Sequence, residues 1–131
     1  MIVRTLEESK GSHREVEAPN GNWVSRRLIL KEDKMGFSLH DTIIRAGTET
    51  FIWYKHHLEA VYCISGKGEI AEIETGILHP IEEGTVYALD GHESHKLRAF
   101  VDMRMVCIFT PPLTGKEVHT KEGFYPLEVE K

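Results

Sequence analysis

Glu59-Ala60-Val61-Tyr62-Cys63-Ile64-Ser65-Gly66-Lys67-Gly68-Glu69-Ile70-Ala71-Glu72 is the stretch on which the fold turns. It is an apolar, β-branched and aromatic run, entered by one carboxylate and interrupted by Gly66-Lys67-Gly68. That composition favours strand over helix, and the two glycines can supply the positive φ of a hairpin. The same texture extends from Trp23 to Thr110, with Gly, Asp and Glu-Glu-Gly breaks roughly every ten residues, which predicts an all-β sandwich or barrel. Strands are expected at 23–30, 37–45, 50–55, 59–65, 68–74, 77–80, 85–89, 95–100 and 103–109, with further reversals at Glu74-Thr75-Gly76 and Asp90-Gly91. No long segment carries a helical period. Pro111-Pro112 stops the last strand, and the polar tail to Lys131 contains Gly115, Gly123 and Pro126. Composition alone favours a frayed terminus over a lid.

With 131 residues, 40% of them hydrophobic, the chain is long enough for one core and short for two, so a single domain over 1–131 is expected. Cys63 and Cys107 each sit in an apolar run, which suggests neither a disulfide framework nor a zinc ribbon and fits a reduced, cytoplasmic setting. The opening Met1-Ile2-Val3-Arg4-Thr5-Leu6-Glu7-Glu8 lacks the apolar stretch of a signal peptide, and no later segment approaches the roughly 20 apolar residues of a membrane span. Sixteen basic residues against 21 acidic ones, with no Lys/Arg run, argue against a nucleic-acid partner.

Strand alternation predicts which side chains share a face. Glu59, Val61 and Cys63 fall together, as do Met105, Cys107 and Phe109, and Trp23, Ser25 and Arg27. An Arg turned inward beside a Trp needs a reason, and a ligand carboxylate would provide one, since guanidinium matches carboxylate through two parallel hydrogen bonds. A surface Arg27 above an ordinary core Trp23 is the plainer alternative. The adjacent His56 and His57 point to opposite sides of an extended chain and read as loop residues.

Counting outward from Glu59 gives Gly47 before it with eleven residues intervening and Gly66 after it with six intervening, the register of the first signature of the cupin superfamily. Gly84 and His95 resemble the second, with Asp90 and His92 in the Pro and Gly slots. The His-x-His slots hold Trp53 and Lys55, so the usual imidazole pair is absent. Tyr87, three residues after Gly84 and eight before His95, can replace it. Glu59, Tyr87 and His95 then make a two-oxygen, one-nitrogen metal set, suited to iron (Fe2+) and able to accept zinc, manganese or cobalt. Taken singly, each has a duller reading as rim carboxylate, packing phenol or isolated imidazole.

Four strings then narrow the resemblance to one family. Lys34-Met35-Gly36-Phe37-Ser38-Leu39-His40, Tyr54-Lys55-His56-His57-Leu58-Glu59-Ala60-Val61, Val86-Tyr87-Ala88-Leu89-Asp90-Gly91-His92 and Pro111-Pro112-Leu113-Thr114-Gly115-Lys116-Glu117-Val118-His119 closely resemble ectoine synthases, in order and through essentially the whole chain. The resemblance implies a cupin-type β-barrel (double-stranded β-helix, or jelly roll), with the barrel over about 20–110 and a C-terminal tail, about 111–131, covering its opening. It implies a cytoplasmic, homodimeric hydro-lyase that closes N-γ-acetyl-L-2,4-diaminobutyrate to ectoine, with iron at Glu59, Tyr87 and His95. The implied substrate pocket comprises Trp23, Arg27, His40, Thr42, Tyr54, Cys107, Phe109, Glu117 and His119, with Tyr54, Cys107, Glu117 and His119 as the catalytic candidates. It also reverses the compositional reading of the tail in favour of a lid. Two rivals share the fold: an oxygenase cupin using the same open iron, and a solute-binding module with Trp23, Tyr54 and Phe109 stacked on a ligand.

Overall fold

A computed structural model describes residues 1–118. The elements in chain order are helix α1 (Leu6–Ser9), β1 (Glu15–Glu17), β2 (Trp23–Ile29), a 3-10 turn (Lys31–Asp33), β3 (Ser38–Ile44), β4 (Glu49–Ile52), β5 (Leu58–Ser65), β6 (Lys67–Glu72), β7 (Leu78–Glu82), β8 (Val86–Leu89), β9 (His95–Ala99) and β10 (Met103–Thr110). The nine expected strands are β2 to β10. The sequence reading missed β1, whose three residues Glu-Val-Glu are too short for alternation to register, and α1, a single turn capped by the Thr5 hydroxyl.

Two antiparallel sheets form, with strand orders β1-β2-β3-β10-β5-β8 and β4-β9-β6-β7. From β3 onward nearly every connection carries the chain from one sheet to the other, which is the jelly-roll winding expected of the fold. Among the described residues no strand pairs across the two sheets; they close on each other through side chains. This corrects the reading of Gly66-Lys67-Gly68 as a hairpin: β5 and β6 lie in different sheets, and Gly66 is the corner between them. Its φ of 101° is disallowed for most residues, and a Cβ there would meet the Asp102 carbonyl oxygen at 2.2 Å. Asp90-Gly91 likewise turns the chain between sheets, whereas Glu74-Thr75-Gly76 joins the paired strands β6 and β7.

The alternation read from sequence places the core. Trp23, Ser25 and Arg27 of β2, Glu59, Val61 and Cys63 of β5, and Met105, Cys107 and Phe109 of β10 are all buried. The opposite face of the six-stranded sheet holds its own charge cluster, Asp41 between Arg26 and Arg104, at 2.7 and 2.6 Å.

Asp33 ties the periphery to this core. It accepts two hydrogen bonds from Arg4, at 2.7 and 2.9 Å, one from Arg14 and one from the Leu30 amide, and Arg14 also reaches the Arg27 carbonyl. The Arg4 hydrogen bond leads in lowering the Asp33 pKa to about 2, aided by the Leu30 amide and Arg14 against the cost of burial. A carboxyl held below its unfolded value stabilises the fold above that value, 3.8, and loses the contribution as pH falls through about 2. Unfolding free energy should therefore decline between about pH 4 and pH 2. Asp33→Asn should flatten that decline and cost about 1–3 kcal/mol at neutral pH, measured by urea unfolding at a series of pH values.

Candidate active site

Strand register lines up the chemistry. Arg27 lies opposite His40, His40 opposite Cys107, Cys107 opposite Val61 and Val61 opposite Tyr87, one inward row crossing β2, β3, β10, β5 and β8. Neighbouring strands are about 4.8 Å apart, so side chains in such a row touch in sequence. The next row along β10 pairs Phe109 with Ser38 and Glu59, and the row on the other side pairs Met105 with Thr42 and Cys63.

These rows line a pocket with about 460 Å³ of empty space, open solvent included. Trp23, His40, Thr42, Tyr54, Glu59, Tyr87, Cys107 and Phe109, all singled out from sequence, line it. Tyr54 meets the Phe109 ring edge-on at 5.1 Å, and His40 packs against the same ring at 5.1 Å. His95 enters from the second sheet, 6.5 Å from Tyr54 between ring centroids, and with Tyr87 borders a neighbouring space between β7 and β8. Arg27 and Glu117 stand behind the cavity wall rather than on it, and His119 lies outside the described residues.

Burial sets the protonation of the lining. It pushes Glu59 up to about 8, against a hydrogen bond from Cys107 that acts in the opposite sense. Burial, then the charge of Glu59, carries Tyr87 well above the ordinary phenol value, and the same two causes raise Cys107. Burial lowers His95, and burial followed by the nearby Arg27 charge lowers His40. Without a cation the cavity therefore favours uncharged acids and uncharged imidazoles.

The donor set fits a metal. His95 is fully buried, its Nδ1 donates to the Glu93 carbonyl at 3.0 Å, and its Nε2 has no hydrogen-bond partner among the described residues. A backbone carbonyl holding Nδ1–H leaves the Nε2 lone pair available, the arrangement that orients metal-bound imidazoles. Glu59, 7% exposed, has no cationic side chain paired with it among the described residues. Among the described residues no three His, Cys, Asp or Glu cluster as a metal site; the expected set contains only two such residues, its third member being a phenol. A divalent cation would stabilise the ionised forms of Glu59 and Tyr87 that burial disfavours.

The tail supplies a cover. Leu113 is fully buried, its amide donates to the Ser38 hydroxyl, and its carbonyl accepts from the Lys31 amide at 2.8 Å. Arg27, 0% exposed, donates from Nη2 to the Glu117 carbonyl at 2.6 Å. The Glu117 carboxylate is turned into its own loop, accepting from the amides of Thr114, Gly115 and Lys116 and from the Thr114 hydroxyl. Burial alone would raise its pKa; the Thr114 and Gly115 amides outweigh that and hold it below the usual carboxylate value. In this arrangement Glu117 builds the cover.

Two cavity neighbours escaped the sequence reading. Ser25, taken as one of a polar row without a role, lines the cavity. His57 lies in a loop as expected, yet it is buried, meets Phe109 edge-on at 6.0 Å and donates from Nδ1 to the Pro111 carbonyl at 2.7 Å. Only its place between Tyr54 and Glu59 hinted at this.

A solvent-facing Arg27 would predict a change below about 0.5 kcal/mol on substitution. The structure predicts that Arg27→Ala costs at least about 2 kcal/mol in urea unfolding, since it removes buried hydrogen bonds to a charged group. Arg27→Lys should free the cover enough for trypsin to cut faster after the exposed Lys116, followed by mass spectrometry.

Comparison with known proteins agrees with this architecture along the whole chain. The family profile described as ectoine synthase matches residues 1–129. An L-ectoine synthase from Desulfatibacillum aliphaticivorans is 58% identical over 127 residues, covering 97% of this chain and 98% of that one. Another from Halalkalibacterium halodurans is also 58% identical over 127 residues, covering 97% of each. The crystal structure of ectoine synthase from P. lautus superposes with a TM-score of 0.87 at 56% identity, covering 100% of this chain and 94% of that one. With the cupin fold, the inward row and the covered cavity in place, the chain belongs to the ectoine synthase family.

Proposed function

We propose that the chain makes ectoine from N-γ-acetyl-L-2,4-diaminobutyrate, acting as a hydro-lyase on a carbon–oxygen bond. The observation that carries this reading is the convergence of Trp23, His40, Thr42, Tyr54, Cys107 and Phe109 with Glu59 and Tyr87 on one covered cavity, in a chain aligned end to end with L-ectoine synthases. In the reaction the substrate's α-amine forms a bond to its own acetamide carbon, closing a six-membered ring, and the acetamide oxygen leaves as water.

The chain's residues divide the remaining tasks. Trp23, Tyr54 and Phe109 provide apolar and aromatic walls that hold a folded substrate in a near-attack geometry and exclude bulk water. Arg27 supplies positive potential behind the wall toward the substrate carboxylate. Among the X–H groups on the cavity surface, Tyr54 and Cys107 are the candidates to hold the intermediate or to hand a proton to the departing oxygen. Deprotonation of the α-ammonium falls to a water or to His119, because the Glu117 carboxylate is occupied by its own loop. Glu59, Tyr87 and His95 would hold iron(II), with zinc, manganese or cobalt as substitutes, and the bound ion would polarise the acetamide oxygen as a Lewis acid. The burial of Glu59 and His95, 7% and 0% exposed, supports that assignment.

The same proposal includes a cytoplasmic homodimer. Its support is the free outer edge of β8, which ends the six-stranded sheet with Val86 64% exposed. No helix among the described residues is long and apolar enough to cross a membrane.

Incubation with the acetylated diaminobutyrate and iron(II), followed by proton NMR, should show the cyclic product accumulating without oxygen consumption. Unchanged substrate would refute the reading, and stoichiometric oxygen uptake would favour an oxygenase. Glu59→Ala, Tyr87→Ala and His95→Ala should each lose most bound iron by metal analysis while keeping the far-ultraviolet circular dichroism of the parent. Full iron occupancy in His95→Ala would remove it from the site.

A further inference from the structure

We propose that Ser25 is a positioning residue: it fixes the His40 ring, already an expected pocket residue, as the Nε2–H tautomer, so that it meets the bound substrate as a hydrogen-bond donor, and it links that ring through Arg27 to the seated tail. The proposal rests on the ectoine-forming reading for the identity of the substrate. Its acceptor is a carboxylate or amide oxygen, both of which that substrate carries.

His40 is 1% exposed, lines the cavity and packs its ring on Phe109. Its two nitrogens differ. Nδ1 lies 3.2 Å from the Ser25 hydroxyl, whereas Nε2 is buried with no partner among the described residues. The direction of the Ser25 bond decides which nitrogen carries the proton. Ser25 Oγ already accepts from Arg27 Nε at 3.2 Å, and a hydroxyl has a single hydrogen to give. Arg27 is donor-only, so it cannot take that hydrogen. His40 Nδ1 can, and a buried Ser25 hydrogen left without an acceptor would carry the full desolvation penalty. Nδ1 therefore accepts and Nε2 holds the proton.

The surroundings keep the ring uncharged. Arg27 from β2, Cys107 from β10 and His57 from the mouth loop face it, and burial followed by the Arg27 and His57 charges lowers its pKa. An uncharged ring with Nε2–H is a donor and not a base. The buried N–H, unmatched by protein, is satisfied when a substrate oxygen arrives. Arg27 completes the chain of bonds: the guanidinium that orients Ser25 through Nε also holds the Glu117 carbonyl through Nη2. Seating of the tail and presentation of the donor thus share one residue.

Long-range 15N–1H correlation spectra of the full, zinc-loaded chain at neutral pH test this, with the His40 signals assigned by their loss in His40→Gln. Nδ1 should resonate as the unprotonated nitrogen and Nε2 as the protonated one. Ser25→Ala should move the ring toward the other tautomer or a mixture, and Ser25→Thr, which keeps the hydroxyl, should restore it. In turnover Ser25→Ala should raise KM about ten-fold, with kcat within about two-fold and with recovery in Ser25→Thr, the factor expected for one hydrogen bond of about 1.4 kcal/mol. A parent spectrum with Nδ1 protonated, or with both nitrogens protonated, would overturn the proposal whether or not Ser25→Ala folds. So would an unchanged tautomer in Ser25→Ala. If the parent shows this tautomer but forms no ectoine, the substrate reading fails and the Ser25–His40 assignment stands.

Discussion

One face of one sheet holds a guanidinium, imidazole, thiol and carboxyl out of water, with a half-buried phenol beside them, and the cost of burying those groups shapes the rest of the molecule. Transfer from water penalises charge far more than polarity, so Glu59, Tyr87 and Cys107 tend to keep their protons and His40 and His95 tend to lose theirs. Arg27 is the exception, since a guanidinium does not give up its proton. Its charge has to be met by oxygens, and among its partners are the Glu117 carbonyl and the Ser25 hydroxyl. A tail crossing the barrel mouth is thus part of what lets an arginine sit in the inward row at all.

The tail depends on the rest in turn. Leu113 fills a buried position beside Lys31 and Ser38, and Gly115 passes so close to Leu30 that an added Cβ would come within 2.7 Å of it. Leu30 and the Lys31–Asp33 turn are held by Asp33, which also gathers Arg4 and Arg14 from the N-terminal segment. Both ends of the described chain therefore meet at the corner between β2 and β3, next to the strand that carries Trp23, Ser25 and Arg27. A truncation made at residue 113 would remove core as well as cover, so one that tests the cover alone must start beyond it.

Much of this was legible in the sequence because strands have a period of two. Glu59-Val61-Cys63, Met105-Cys107-Phe109 and Trp23-Ser25-Arg27 read as inward sets from spacing alone, and Tyr87 and His95 followed from their distances to Gly84. What spacing cannot carry is the partner of a side chain 90 residues away, so the hydrogen bond from Arg27 to the Glu117 carbonyl was not foreseen. Local hydrogen bonding was equally invisible: Glu117 reads as a free carboxylate until the amides of Thr114, Gly115 and Lys116 are seen to converge on it. Gly66 announced a reversal in both views, but nothing in Gly-Lys-Gly distinguishes a hairpin from a corner between sheets. His57 read as a loop residue, which it is; that its ring packs on Phe109 is a long-range contact that the adjacent His56-His57 pair does not announce.

The central claim is that Glu59, Tyr87 and His95, uncharged alone, form one site that a metal ion completes. The visible absorption of the iron-reconstituted chain after oxidation to iron(III) tests it most directly, because a phenolate bound to iron(III) gives a charge-transfer band that carboxylate and imidazole do not. The band should appear in the parent and vanish in Tyr87→Phe while the circular dichroism of the barrel is unchanged. Absence of the band from an iron-loaded parent, or its survival in Tyr87→Phe, would contradict the site as described.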